Sequence, residues 1–163
     1  GPSEAMQSRL RLAGIQATAA AEHMTFSVRV VPNRDIGLGF DAARTLLSAP
    51  GAPTALICIH ERLAVGARLA ASDLGLAIPA DLSIVSLDDG ELLASRLVPP
   101  LTTIERPDRA MAEKAVTMTL QRLDEDSGAP SPQFSFSCPA ANRDSVARPQ
   151  RPNRRPCRPA DRR

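Results

Sequence analysis

The chain has 163 residues, 43% of them hydrophobic and only 2% aromatic, with a formal net charge of +2. That length allows one domain with a packed core, built from Leu, Ile, Val, Ala and Met because Trp and Tyr are absent. The charge is uneven: residues 146–163 hold seven Arg and one Asp, so +6 of the whole-chain +2 sits in the tail and about −4 in the body, which excludes a strongly basic nucleic-acid-binding body.

In chain order, residues 3–21 read as a helix, with Ser3 as cap and Met6, Leu10, Ala13 and Ala17 on one face. Residues 26–31 (FSVRVV) read as a strand. Asp35 is placed to cap a helix over residues 36–48, which the Pro and Gly of residues 49–53 end. Residues 54–59 form a strand apolar enough to be covered on both faces. A helix over residues 61–74 stops at Gly75. A second buried strand covers residues 82–87, and a short helix residues 89–95. A brief strand follows at 101–104, then a helix at 107–124 with Pro107 at its start. Residues 133–137 read as a last strand. Strands alternating with helices predict an α/β fold, a parallel sheet with helices on both faces. Residues 147–163 are rich in Arg and Pro and almost free of apolar side chains, the composition of a disordered tail. The expected domain therefore spans residues 1–146.

Cys58, Cys138 and Cys157 share no metal-type spacing and are odd in number, so a reducing, cytoplasmic setting is expected. Cys58 lies inside an apolar strand and reads as a core residue. No stretch is apolar enough to span a bilayer, and none reads as a signal peptide. The opening Gly1-Pro2, in place of Met, is what a partial reading frame or a protease-site scar leaves.

Several motifs imitate chemistry. Gly37, Gly39 and Ala42 fit G-x-G-x-x-A, with Glu61 at the end of the next strand, as in a dinucleotide fold. Five residues separate the preceding strand from Gly37, whereas a pyrophosphate turn needs its first glycine at the strand end. Close helix–sheet packing is the plainer use of these glycines. His60-Glu61 begins H-E-x-x-H, but position 64 is Ala, so the second zinc ligand is missing. No metal, cofactor or catalytic residue is expected. Asp88-Asp89 ends a strand; the pair suits acid–base or magnesium chemistry, or one carboxylate faces a ligand while the other caps the next helix. Arg9 and Arg11 lie mid-helix, where arginines commonly form a solvated face. The tail arginines suit loose phosphate contacts or plain solvation.

Taken in order, the segments resemble the C-terminal part of the lactose-repressor/galactose-repressor family of bacterial transcriptional regulators. The opening GP…RLRLAG resembles that family's effector-site helix. ALICIHERLAVGARLAASDLGLAIPADLSIVSLDDGEL resembles its Asn-Asp, x-x-A-x-G, Leu-Gly, Pro-x-Asp and Gly-aromatic-Asp-Asp stretch. Leu101-Thr-Thr with Ile104-Glu105-Arg106-Pro107 resembles its crossover, and Arg143-Asp144-Ser145 its C-terminal R-x-S. The resemblance implies a periplasmic-binding-protein-like lobe (type I) that senses a sugar or sugar-like effector, forms a homodimer in the intact protein, and controls operator DNA only through a helix-turn-helix outside this chain. It contacts no membrane. Arg11 and Asp88 fall on effector-binding positions; a guanidinium donates and a carboxylate accepts from neighbouring hydroxyls. His60 stands at the usual Asn and Glu61 at the usual Asp. Arg34 falls near a common aromatic, and Arg106 replaces a common Gln. These departures shift the expected effector toward acidic or phosphorylated molecules. The helix over residues 61–74 carries an apolar stripe that faces either the sheet or a partner.

The resemblance also implies a first lobe and a strand ahead of Gly1-Pro2, neither present in these residues. Strand edges would then be open at the heart of the sheet. The helix over residues 107–124 would expose Met111, Ala115, Met118 and Leu123 and promote self-association. A periplasmic-type sugar-binding transport protein of the same fold and an NAD(P)-dependent oxidoreductase remain alternative readings.

Overall fold

The start and stop signals in the sequence set the helices of the computed structural model, which describes residues 6–89, 93–124 and 133–149. Helix α1 spans Met6–Ala21; its expected start at Ser3 lies outside the described residues. Helix α2 (Ile36–Ser48) begins where the Asp35 carboxylate accepts from the N–H groups of Gly37 and Leu38, at 2.8 and 3.2 Å. Helix α3 (Glu61–Asp73) ends at Gly75, whose φ of +68° lets the Leu76 N–H reach back to the Ala71 carbonyl at 2.8 Å. Helix α4 (Asp108–Asp124) follows Pro107 directly.

Strands β1 (Ala55–Cys58), β2 (Ser83–Ser86), β3 (Thr102–Ile104) and β4 (Ala140–Ala141) form one sheet in the order β1-β2-β3-β4. The first three are parallel, and β4 runs antiparallel to β3. Leu56 and Ile84 pair in register and meet Ala64, Ala67, Ala70 and Ala71 of α3 in the core, with Ala43 of α2 and Leu82, Ala94 and Leu101 around them. The apolar stripe of α3 thus faces the sheet. Alanine suits this layer because a short side chain lets helix and sheet approach closely.

Gly39 of the G-x-G-x-x-A motif serves a helix–helix contact rather than the helix–sheet contact expected, while Gly37 lies against the Asp35 cap. A Cβ on Gly39 would stand 2.8 Å from the Leu63 carbonyl oxygen and 2.9 Å from its Cα. On α3, a Cβ on Gly66 would stand 2.6 Å from the Phe40 nitrogen and closer still to the Ile36 carbonyl oxygen. The two helices therefore cross backbone to backbone at Gly39 and Gly66.

Three strand expectations change. β2 is buried nearly throughout, but β1 is covered on one face only; Ala55 is exposed, as is Ile57 at 51%. Residues 26–31 form no strand: β1 ends the sheet, no described residue pairs with this segment, and Phe26, Val28 and Val30 are exposed. Residues 133–137 are likewise unpaired. Bonds from Arg143 and Ser145 to Thr102 fix the register of the returning chain, placing Ala140 and Ala141, not Phe134 and Phe136, beside β3. Phe134 instead lies under the Lys114 ammonium of α4, 3.9 Å from the ring centre. The expected helix at residues 89–95 is a short 3-10 turn, Ala94–Arg96, within its described part. Helix α4 buries none of its residues; Leu123 is 78% exposed. Beyond Val146, Ala147 is still tied to the Ser83 hydroxyl by bonds of 3.1 and 3.2 Å. The tail from residue 150 onward lies outside the described residues. No helix among the described residues is long and apolar enough to cross a membrane.

Candidate functional site

Because β1 and β2 are parallel and in register, their C-terminal ends leave the sheet side by side. The Leu87 N–H extends the ladder to the Cys58 carbonyl at 2.8 Å, and the next side chains, His60 and Asp88, meet beyond it. Ends of adjacent parallel strands are where open α/β sheets hold ligands. His60 caps α3: its Nδ1 accepts from the Arg62 N–H at 3.2 Å. The ring hydrogen is thereby assigned to Nε2, which lies 3.2 Å from Asp88 Oδ2. Arg106, two residues past β3, reaches Asp88 Oδ1 at 3.1 Å and Asp108 Oδ2 at 2.9 Å. Arg11 of α1 donates to the Ile59 carbonyl at 2.8 Å, within electrostatic reach of Asp88, Arg106 and Arg34.

Arg11, His60, Asp88 and Arg106 therefore converge from four parts of the chain, with exposed Arg34 beside them. Burial lowers the affinity of the Arg11 guanidinium for its proton; Asp88 opposes this, while Arg106 and Arg34 add to it. Burial likewise lowers the His60 pKa, against Asp88 and with Arg34 and Arg62. His60 is thus a neutral hydrogen-bonding group at neutral pH rather than a cation. The Arg106 pKa is raised, first by its hydrogen bond to Asp108. Two neighbours went unnoticed in the sequence. Asp108 steadies Arg106 from only two residues away, a spacing that the strand-to-helix step could have flagged. Cys138 lies within electrostatic reach of both Arg11 and Arg106, and nothing in its local sequence signals that.

Glu61 is placed differently from the other expected site residues. It is only 8% exposed, and its charge neighbours are Asp89, Asp88 and Arg143. Burial raises its pKa most; a hydrogen bond from the Ala94 backbone works against this, and Asp89 and Asp88 add to it. Oε1 has no hydrogen-bond partner. The folded chain therefore holds the Glu61 proton more tightly than the unfolded chain. Its contribution to stability is full below the ordinary glutamate range, about pH 4.3, and is lost as pH rises through the raised value. Glu61→Gln removes that loss. Thermal melts should show the variant gaining about 1 kcal/mol over the parent at pH 7 and nothing at pH 4; an equal difference at both values would refute the buried-charge account.

Asp89 does not cap a described helix. Its carboxylate accepts from Arg143 Nη2 at 2.9 Å, while Arg143 Nη1 donates to the Leu101 carbonyl and the Thr103 hydroxyl, at 2.7 and 2.8 Å. Asp88 thus faces His60 and Arg106, while Asp89 is bound to Arg143. Ser145 completes the same latch. Its hydroxyl donates to the Ile84 carbonyl at 2.6 Å and accepts from the Thr102 N–H at 2.8 Å, bridging β2 and β3. Burial pushes the Cys58 thiol up to about 12, as suits a core residue. Among the described residues, no three His, Cys, Asp or Glu side chains cluster as a metal site.

Residues 1–146 match the family of periplasmic binding protein-like domains. The chain is 35% identical over 125 residues to the ribose operon repressor of Escherichia coli K12, covering 76% of this chain and 38% of that protein. It is 41% identical over 83 residues to the HTH-type transcriptional regulator MalR of Streptomyces coelicolor, covering 51% of this chain and 23% of that one. Among solved structures, it superposes on the dimeric Lac repressor with a TM-score of 0.82 at 28% identity, over 92% of this chain and 54% of that one. A LacI family regulator from Bifidobacterium animalis gives a TM-score of 0.80 at 25% identity, over 92% and 54%. The chain thus spans less than half the length of these two curated relatives, and its fold is a type I periplasmic-binding-protein-like one. These matches establish that the chain belongs to the periplasmic binding protein-like domain family, in its lactose-repressor/galactose-repressor branch.

Proposed function

We propose that this chain is the effector-sensing part of a cytoplasmic bacterial transcriptional regulator, taking a sugar or sugar-like molecule between lobes and so controlling DNA binding by a helix-turn-helix outside the chain. The observation that carries the reading is the meeting of His60 and Arg106 on the two oxygens of Asp88, at the ends of adjacent strands and beside Arg11. Such a cluster offers a ligand hydroxyl both an acceptor and fixed donors. Solved relatives include a lac repressor dimer bound to operator and an anti-inducer, which supports a dimer with both kinds of partner. Effector control then follows from unequal affinity for two relative arrangements of the DNA-reading heads.

The test uses the full-length protein, its own promoter fragment and a panel of sugars and sugar derivatives. Mobility shift reports operator binding, and calorimetry reports the effector. Asp88→Asn should weaken effector binding by about 10- to 100-fold, the worth of a hydrogen bond to a charged group, with operator binding retained. Unchanged effector affinity in that variant would remove Asp88 from the site. Sugar binding with no DNA binding by the full-length protein would favour a transport-type binding protein instead.

A further inference from the structure

Resting on the sensor reading above, we infer that the effector is an anion, a small hydroxylated molecule carrying a phosphate or carboxylate group that Arg34, Arg106 and Arg11 receive together. The argument is one of donors against acceptors. A guanidinium carries about five N–H donors and no acceptor. Arg106 uses two nitrogens, on Asp88 and Asp108. Arg11 uses one, on the Ile59 carbonyl. Arg34 forms no ion pair with any described carboxylate, and its charge is felt by both Arg11 and His60.

The carboxylates nearby are already committed. Asp88 shares its two oxygens between His60 and Arg106. Asp108 is held by Arg106, and Asp35 caps α2. Glu61 sits beside the Ala94 backbone with Asp89 and Arg143 as neighbours. Neutral His60 brings no further charge. Three cations thus share two carboxylates, Asp88 and Asp108, both already bound to Arg106, and Arg106 and Arg34 each act on Arg11 as like charges that raise one another's energy. A neutral sugar would leave that repulsion standing. A phosphate or carboxylate relieves it and accepts from several guanidinium nitrogens at once, the geometry in which arginine binds such groups most strongly. Each Asp88 oxygen keeps a second lone pair, so the hydroxylated remainder still finds an acceptor there.

The experiment is calorimetric titration of the full-length protein with ribose, ribose 5-phosphate and ribonate, and with glucose, glucose 6-phosphate and gluconate. At least one anionic compound should bind at least about 10-fold more tightly than its neutral parent, an advantage that shrinks as salt rises from about 0.05 to 0.5 M. A phosphate-only or carboxylate-only preference identifies the anionic group. Arg34→Ala alters an exposed residue that supports no described packing, so it should fold normally. It should lower affinity for the anion by about 10-fold while leaving the neutral parent unchanged. Neutral parents binding as tightly as their anions would overturn the inference while leaving the sensor reading intact. Failure of every compound to bind would count against both.

Discussion

Replacing Gly66 with alanine is expected to cost about 3 kcal/mol of stability, because the new methyl group would stand inside the backbone of α2. Its nearest neighbours would be the Ile36 carbonyl oxygen, the Phe40 nitrogen and the Gly39 carbonyl carbon. None is the loose end of a side chain, so the helices must part. Their parting loosens the alanine-lined layer between α3 and the sheet. Gly39→Ala should act in the same direction, against the Leu63 backbone. Gly14, mid-helix in α1 with open space around it, provides the contrast. There alanine should stabilise by about 1 kcal/mol through helix propensity alone. Urea unfolding of the three variants reads this directly as shifts in midpoint at constant slope. A Gly66→Ala midpoint equal to that of the parent would refute the close crossing.

Arg143→Met should cost a similar amount, about 3 kcal/mol, by a different route. The substitution keeps much of the packing but leaves Asp89 without its cation, with side-chain exposures of 21% for Arg143 and 13% for Asp89. It also strips a donor from the Leu101 carbonyl and the Thr103 hydroxyl. Adding Asp89→Asn should recover at least about 1 kcal/mol, since the stranded charge is then gone. Strictly additive losses in the double variant would mean that the two side chains act independently.

The helices were legible because their ends are written in local chemistry. Asp35 announces α2 and Gly75 closes α3, each through bonds to neighbours in the chain. The apolar runs before His60 and Asp88 likewise marked β1 and β2, and the order of motifs pointed to their shared end. The unpaired state of residues 26–31 could not be read in the same way. Their alternating pattern describes a strand, but a strand exists only with a partner, and pairing is a property of distant residues. The same limit explains β4. Phe134 and Phe136 look like strand residues, yet the register is decided by Arg143 and Ser145 gripping β2 and β3. The sequence names Asp88, His60, Arg11 and Arg106, which the fold brings together, and offers a split of the two aspartates, but it puts Asp89 on a helix cap rather than on Arg143. Only the Arg143 contact, 54 residues from Asp89 in the chain, draws one carboxylate to β3 and leaves the other to His60 and Arg106.

The seat of Ser145 between β2 and β3 has a consequence for biosynthesis. Its hydroxyl reaches Ile84, 61 residues earlier, so these two parallel strands stay incompletely joined until position 145 has left the ribosome. Contacts this remote form slowly, and the growing polypeptide meanwhile carries uncovered strand edges. Newly made copies should therefore depend on chaperone capacity during the interval between translating β3 and translating the segment that fastens it.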